Sequence, residues 1–137
     1  MTLTDSGPLA ATYLPKDPHH ARCVAALSAL SPPIVTTMPC FTEAIYFVGK
    51  ERGWRGQAAL WQLVLDGRLE VQSFTVGDLV RMRELMEKYR DAPMDLADAS
   101  IVALAEKLNE TLVFTLDSHF RTYRLRDRRA FRVLPEG

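Results

Sequence analysis

The chain has 137 residues, 47% of them hydrophobic and 25% charged, a composition typical of a globular protein with one hydrophobic core. Basic and acidic residues balance at 17 each, so a nucleic-acid function cannot rest on global charge and would need a local basic patch. No apolar run approaches the roughly 18 residues of a membrane span, and the first residues lack the pattern of a signal peptide, so we expect a cytoplasmic protein with no membrane partner.

The chain begins with a strand predicted over 2–4, followed by a short helix that reaches about Leu14. Asp5 lies where the strand ends and the helix begins. It fits two roles: the N-cap of that helix, with Pro8 in the first turn, or an acidic ligand at the carboxyl end of the strand. On this segment alone we favour the N-cap.

A second helix is predicted over 17–30 and contains two adjacent histidines. His19 and His20 do not face the same way on a helix, which argues against a metal site built on the pair. Cys23 lies on the apolar stripe of this helix, and Cys40 follows without a CxxC or Cys/His ligand pattern. We expect both thiols to be reduced core residues, and no zinc site or thiol nucleophile is predicted.

A second strand is predicted over 34–36, and a helix over 40–52 follows it. Apolar residues recur at helical spacing along this helix, and Glu43 interrupts them about one turn from its start. The glutamate either lies at the solvent edge, near a favourable helix N-terminus, or points toward a polar site above the sheet. Both interpretations stay open on the sequence alone.

Beyond Gly53, a helix is predicted over 54–65. Trp54 and Trp61 lie seven residues apart on it, a spacing more typical of the core or of a subunit interface than of base stacking. A third strand is predicted over 69–74, and a Thr-x-x-Asp capping box then opens another helix.

Two aspartates one helical turn apart, Asp95 and Asp98, begin the most informative stretch of the chain. Apolar residues recur at helical spacing behind them, so this helix is docked and its acidic end is held in place. A short buried strand is predicted over 112–116, and Asp117 follows at its carboxyl end, where ligands collect in open α/β sheets. Asp95 fits an N-cap, whereas a carboxylate converging on Asp98 would require a cation to offset the repulsion.

An arginine-rich segment, 121–132, comes near the end of the chain, and a strand is predicted over 131–134. Six of its twelve residues are arginine, and Tyr123 and Phe131 are interleaved with them, which favours phosphate contacts with occasional base stacking. The alternative is a solvated edge strand protected by charge. Because only Asp127 offsets the arginines, we favour phosphate binding.

The alternation of short strands with helices predicts an α/β fold in three layers, α/β/α, around a mostly parallel central sheet of about four to five short strands. The ordered motifs DSGPLAATY, DPHHARC, TEAIYFVG, MDLADASIVALAEKLN and VFTLDSHFRTYR resemble the PIN-domain ribonucleases, including the VapC-like toxins of VapBC toxin–antitoxin pairs. The resemblance covers nearly the whole chain and implies one PIN-like nuclease domain over 1–137. One departure is the polar first strand, with Thr2 and Thr4, which puts its pairing in doubt.

The resemblance also implies a divalent-metal site with Mg2+ or Mn2+, the hard cations that carboxylates suit. The family's catalytic and metal-binding acids fall on Asp5, Glu43, Asp98 and Asp117. Asp5 and Asp98 are implied as principal ligands and Asp117 completes the site, while Glu43 binds metal through water or positions the attacking water. Asp95 matches an acid found in part of the family, just outside the metal ligands.

Four more residues are implied to position the substrate. Thr115 or Ser118 would orient an acid or the phosphate by hydrogen bonding, and Arg121 and Arg124 would contact the RNA backbone.

The implied function is a metal-dependent endoribonuclease that acts as the toxin of a type II toxin–antitoxin pair. The implied partners are RNA, a small antitoxin and a second copy of the chain, and Trp54, Trp61 and Met38 are candidates for these protein surfaces, although core packing explains them equally well. Two alternatives stay open: a PIN-fold nuclease of other RNA or of DNA outside such a pair, and a non-catalytic PIN-fold binding module or structural protein whose acids are helix caps.

Overall fold

Within residues 1–136, which the computed structural model describes, five strands alternate with five α-helices and one 3-10 helix. The strands are β1 (Thr2–Thr4), β2 (Ile34–Thr37), β3 (Leu69–Gln72), β4 (Leu112–Phe114) and β5 (Arg132–Leu134). The helices are α1 (Ser6–Thr12), α2 (His20–Ala29), α3 (Met38–Leu65), α4 (Val76–Lys88) and α5 (Leu96–Leu108), and the 3-10 helix is Ser118–Arg121. None of these helices is long and apolar enough to cross a membrane.

The five strands form one sheet in the order β3-β2-β1-β4-β5, and every neighbouring pair is parallel. The mostly parallel α/β fold predicted from the sequence is therefore confirmed. Because the strands are parallel, all their carboxyl ends meet at one edge of the sheet. The register pairs Thr4 with Phe114, so the residues that follow β1 and β4 emerge side by side.

Helices cover both faces of the sheet, which gives the three layers. In β2, Val35 packs into the core cluster that contains α4 and α5 residues such as Leu85 and Ile101. The preceding residue, Ile34, packs against the cluster that contains Leu9 of α1 and Leu60 of α3. Since successive strand residues point to opposite faces, these clusters lie on opposite sides of the sheet.

The polar strand β1 is at the centre of the sheet and pairs with both β2 and β4. Thr2 and Thr4 are fully buried, and each hydroxyl donates to a backbone carbonyl, that of Ser31 at 3.0 Å and that of Asp5 at 3.1 Å. The hydrogen bonds offset the cost of burying the hydroxyls. The doubt about the pairing of this strand is thereby removed.

The helix α3 is interrupted at Gly53, as the sequence predicted. Gly53 has φ 61° and ψ −154°, a conformation that is accessible to glycine and strained for residues with a Cβ atom.

Both tryptophans lie at the surface. Trp54 is 69% exposed and Trp61 is 42% exposed, although the Trp61 ring packs edge-on against Phe41 at 4.9 Å between centroids. Met38, at the start of α3, is also exposed. Core packing is therefore the wrong explanation for these three side chains. Periodicity alone did not reveal this, because the helix buries other positions.

Replacing Gly53 with alanine should destabilise the protein by about 1–3 kcal/mol, because the added Cβ strains the backbone at this positive φ. Gly77, in the first turn of α4, is a matched control: an added Cβ would meet only Thr75 Oγ1, at 3.6 Å. Gly77→Ala should leave the free energy of unfolding unchanged or raise it by up to about 1 kcal/mol. Urea unfolding of both variants checks this, and an unchanged Gly53→Ala protein would contradict it.

Candidate active site

Asp5 and Thr115 meet at the carboxyl edge of the sheet, because β1 and β4 are adjacent there. Asp5 Oδ1 accepts the Ser6 N–H at 2.8 Å, so the carboxylate caps α1, and Oδ2 accepts the Thr115 hydroxyl at 2.8 Å. The Thr115 oxygen in turn accepts the Asp117 N–H at 3.0 Å. Asp5 thus caps α1 and is also linked through Thr115 to Asp117, so the N-cap role does not exclude a role as an acidic ligand.

Asp98 lies in the first turn of α5 and is only 6% exposed. Its Oδ2 atom accepts the hydroxyl proton of Tyr123 at 3.0 Å. Asp95 is the N-cap of α5, since its Oδ1 accepts the Asp98 N–H at 2.8 Å. The N-cap role predicted for Asp95 therefore agrees with its contacts. The charge of Asp95 also lies close enough to raise the pKa of Asp98.

The pKa values of Asp5 and Asp98 are both raised, and burial is the largest cause for each. Burial raises the pKa of Asp98 to about 7, and the charges of Asp95, Asp5 and Asp117 add to this, while the Tyr123 hydrogen bond opposes it. Burial also raises the pKa of Asp5, against the hydrogen bonds from Thr115 and Ser6 that lower it. Within residues 1–136, no lysine, arginine or histidine forms an ion pair with Asp5 or Asp98.

Glu43 and Asp117 reach the same edge but are engaged with other partners. Glu43 Oε1 accepts the Ser6 hydroxyl at 2.8 Å, so Glu43 points toward the site rather than only to solvent. Asp117 accepts the His119 N–H and faces its ring nitrogen Nδ1, both at 2.9 Å.

In the described part of the chain, no three His, Cys, Asp or Glu side chains already form a group that would hold a metal ion. The donors nevertheless fit Mg2+ or Mn2+ in kind, because they are carboxylate oxygens, and those of Asp5 and Asp98 have no ion-paired base within residues 1–136. Mg2+ usually takes only one or two protein carboxylates and completes its coordination with water and substrate phosphates, so a preformed cage is not required.

The predicted substrate-positioning residues lie on one side of this edge. Ser118 and Arg121 line a shallow depression together with Thr115 and Asp117, and its wall also contains Arg22 of α2 and His19, the residue just before α2. Arg121 is exposed at the end of the 3-10 helix. Arg124 is held back, because its Nη1 donates to the carbonyls of Arg121 and Tyr123, each at 2.9 Å.

The prediction that Tyr123 and Phe131 stack on bases is wrong. Tyr123 is fully buried and Phe131 is 8% exposed, and both rings pack against Phe120 in the core. Sequence reasoning assigned them to a surface because arginines surround them on both sides. The segment instead turns its aromatic residues inward and its arginines outward.

Three residues of the site were missed by sequence reasoning: Ser6, Cys40 and Tyr123. The Cys40 thiol donates to Asp5 Oδ1 at 3.6 Å and lies fully buried beneath it, free of any disulfide, as the core assignment predicted. Burial and the nearby Asp5 carboxylate raise the pKa of Cys40 well above its usual value, which keeps it a neutral thiol. Ser6 carried one usable signal, its place directly after Asp5, whereas the Tyr123 contact depends on tertiary structure.

Comparison with known proteins agrees with the fold. The model of the PIN domain family matches residues 3–125. This chain belongs to the PIN domain family. It is 24% identical over 134 residues to ribonuclease VapC26 of Mycobacterium tuberculosis, and the match covers 97% of this chain and 99% of that protein.

Two solved structures share the PIN fold of this chain. VapC20 of M. tuberculosis, described as a toxin that cleaves the sarcin–ricin loop, superposes with a TM-score of 0.80 at 17% identity, over 86% of this chain and 91% of the other. A toxin–antitoxin complex from Klebsiella pneumoniae superposes with a TM-score of 0.65 at 18% identity, over 86% and 88% of the two chains. The resemblance to PIN domains stated from the sequence is confirmed.

The raised pKa of Asp98 predicts how metal-free stability depends on pH. The folded state binds a proton on Asp98 more tightly than the unfolded state, so its contribution is fully present below about pH 4 and is lost as the pH rises through about 7. In Asp98→Asn the side chain at this position does not ionise, so the variant does not lose this stability as the pH rises. In EDTA, we expect the variant to be more stable than the wild type at about pH 8, by roughly 1–3 kcal/mol, and the difference to shrink on acidification.

Urea unfolding of both proteins between about pH 4 and pH 8 measures that difference. A difference that does not change with pH, or a variant that is the less stable protein at pH 8, would contradict the assignment of a raised pKa to Asp98.

Proposed function

We propose that this chain is a single PIN-like nuclease domain over 1–137 that cleaves RNA phosphodiester bonds with Mg2+ or Mn2+, as the toxin of a type II toxin–antitoxin pair in the cytoplasm. One observation carries the proposal: Asp5 and Asp98 are buried at the carboxyl edge of a PIN-domain sheet without an ion pair to a base in residues 1–136. Buried charges of one sign need a compensating cation, and a divalent ion supplies it.

Asp5 and Asp98 would hold the metal, with Asp117 completing the site and Glu43 acting directly or through water. A bound divalent cation activates water for attack and stabilises the charge that develops on phosphoryl oxygens. Thr115 connects two of these acids, because its hydroxyl donates to Asp5 while its oxygen accepts the Asp117 N–H. It therefore orients two of the proposed ligands at once.

Cleavage of RNA is supported by the basic groups beside the acids. Arg121 and Ser118 border the depression that also contains Asp117, and Arg22 of α2 and the preceding His19 line the same depression. Phosphate groups of a bound strand would find donors here, directly next to the acids. Arg124 would contribute less to phosphate binding, since backbone carbonyls already occupy part of its guanidinium. Ribonuclease VapC26, similar over almost the whole chain, adds independent support.

An antitoxin partner and a homodimer are proposed for the exposed apolar surface. Trp54, Trp61 and Met38 are solvent-exposed large side chains on α3, the residue types enriched at protein interfaces. An apolar groove between α4 and α5 is a second such surface, lined by Leu79, Met82, Met86 and Leu96 among others. The Klebsiella toxin–antitoxin complex has the same fold and supports an antitoxin as one occupant.

The first test of the proposal is cleavage of a labelled single-stranded RNA with Mg2+, Mn2+ or EDTA. We expect the wild type to cut only with metal, and Asp5→Asn to lose at least about a hundredfold in rate, because it removes a ligand charge. Asp66→Asn is the matched control, since Asp66 is exposed at the end of α3 and contacts Gln62 rather than the acids.

Three outcomes would count against the proposal. Equal cleavage of a DNA strand of the same sequence would favour a nuclease with a broader target. Cleavage that persists in EDTA would show that the reaction does not require a divalent metal. An inert wild type that also fails to bind Mn2+ would favour a non-catalytic PIN-fold module.

A second test addresses the basic depression. Arg121→Gln should raise KM for RNA about three- to tenfold with little change in kcat, and should reduce the dependence of binding on salt by about one counterion. Arg52→Gln is the control, because Arg52 contacts the Tyr13 carbonyl beyond the far end of α1, away from the acids. Equal KM values and equal salt slopes for wild type and Arg121→Gln would show that the strand does not pass over this depression.

A further inference from the structure

Tyr123 is a fully buried tyrosine whose hydroxyl reaches the candidate active site. It is the largest of the fully buried side chains in residues 1–136, and it lies in the arginine-rich segment between two arginines. A buried phenol needs a hydrogen-bond partner, and a core position without one would favour phenylalanine. The partner here is a carboxylate: the Tyr123 hydroxyl donates to Asp98 Oδ2 at 3.0 Å.

The orientation of this hydroxyl is determined by aromatic packing. The Tyr123 ring meets Tyr89 edge-on at 5.0 Å and 65°, and Phe120 at 5.1 Å and 79°. His119 stacks near it at 6.3 Å and 28°. A side chain enclosed in this way cannot swing its hydroxyl aside without opening the core.

The two buried acids of the site are supported in parallel ways. The Thr115 hydroxyl holds one oxygen of Asp5, and the Tyr123 hydroxyl holds one oxygen of Asp98. Asp5 Oδ1 has further donors, the Ser6 N–H and the Cys40 thiol. Within residues 1–136, the Asp98 carboxylate makes a side-chain hydrogen bond only through Oδ2, so Oδ1 remains available for another ligand.

We propose that Tyr123 is a positioning residue for the metal site: it holds the Asp98 carboxylate through Oδ2, so that Oδ1 is presented to a divalent cation. The proposal rests on the proposed function, because only a metal-binding Asp98 gives this hydrogen bond a role beyond stability. A hydroxyl that fixes one oxygen of a ligating carboxylate reduces the reorientation that binding requires. The arginine-rich segment then contributes a buried anchor to the site as well as surface cations.

The test compares Tyr123→Phe with Tyr89→Phe. Both changes remove one phenolic hydroxyl from the same aromatic cluster and keep the ring, so both proteins retain the shape of the core. The Tyr89 hydroxyl accepts the Arg124 N–H at 3.0 Å and, among the described residues 1–136, forms no hydrogen bond with an acid, which makes it the matched control. The measurements are the Mn2+ affinity by calorimetry, the Mn2+ concentration that gives half-maximal RNA cleavage, and the melting temperature in EDTA.

We expect Tyr123→Phe to weaken Mn2+ binding about tenfold and to raise the half-maximal Mn2+ concentration by a similar factor, with cleavage largely restored at saturating Mn2+. Tyr89→Phe should change either quantity by less than about twofold, even if it lowers the melting temperature as much. A purely structural role for Tyr123 would lower the melting temperature and leave the Mn2+ affinity unchanged.

Each other outcome overturns the inference in a distinguishable way. If the wild type and Tyr123→Phe bind Mn2+ equally while the wild type cleaves RNA, Tyr123 does not position Asp98 but the proposed function stands. If Tyr89→Phe weakens Mn2+ binding as much as Tyr123→Phe, the effect is a general loosening of the aromatic cluster. If the wild type binds no Mn2+ and cuts no RNA, the inference and the proposed function fail together.

Discussion

The burial of Asp5 and Asp98 together, without an ion-paired base in the described chain, is the constraint on which the rest of the site depends. Two carboxylates withdrawn from water and placed near each other disfavour the folded state, as the raised pKa values of both groups indicate. Hydroxyl donors on Thr115 and Tyr123 lower that cost but do not cancel the charge. Binding of a divalent cation to the folded state would offset the remainder, because any ligand that binds only the folded state stabilises it.

The topology of the sheet is what brings the acids together. β1 lies between β2 and β4, so the turns that follow β1 and β4 are neighbours although their residues are far apart in sequence. α5 packs over β1 and β2 and brings its acidic first turn to the edge where the strands end. The strands have only three or four residues each, so little separates the hydrophobic core from the acidic edge. Cys40 occupies that boundary, since it is fully buried and yet contacts Asp5.

Much of the fold was predictable because its signals are local. Hydrophobic periodicity and the Thr-x-x-Asp capping box, which begins at Thr75, lie within short windows, and the capping box marks the start of α4 correctly. The acids at the ends of β1 and β4 were predictable from their position in the chain. The Tyr123 contact and the exposure of Trp54 were not, because each depends on which elements pack against a given face, and helical spacing does not contain that information. The density of arginines led to the wrong prediction of base stacking for the same reason. It describes the exposed side of segment 121–132, whose other side packs in the core.

A crystal structure with Mn2+ and a short RNA, in which anomalous scattering locates the ion, would show directly whether Asp5 and Asp98 together bind a divalent cation. We predict Mn2+ in contact with carboxylate oxygens of Asp5 and Asp98, with the Tyr123 hydroxyl still donating to Asp98. An ion bound elsewhere on the chain, or a crystal without Mn2+ in which both acids keep only their hydrogen bonds to protein groups, would contradict it.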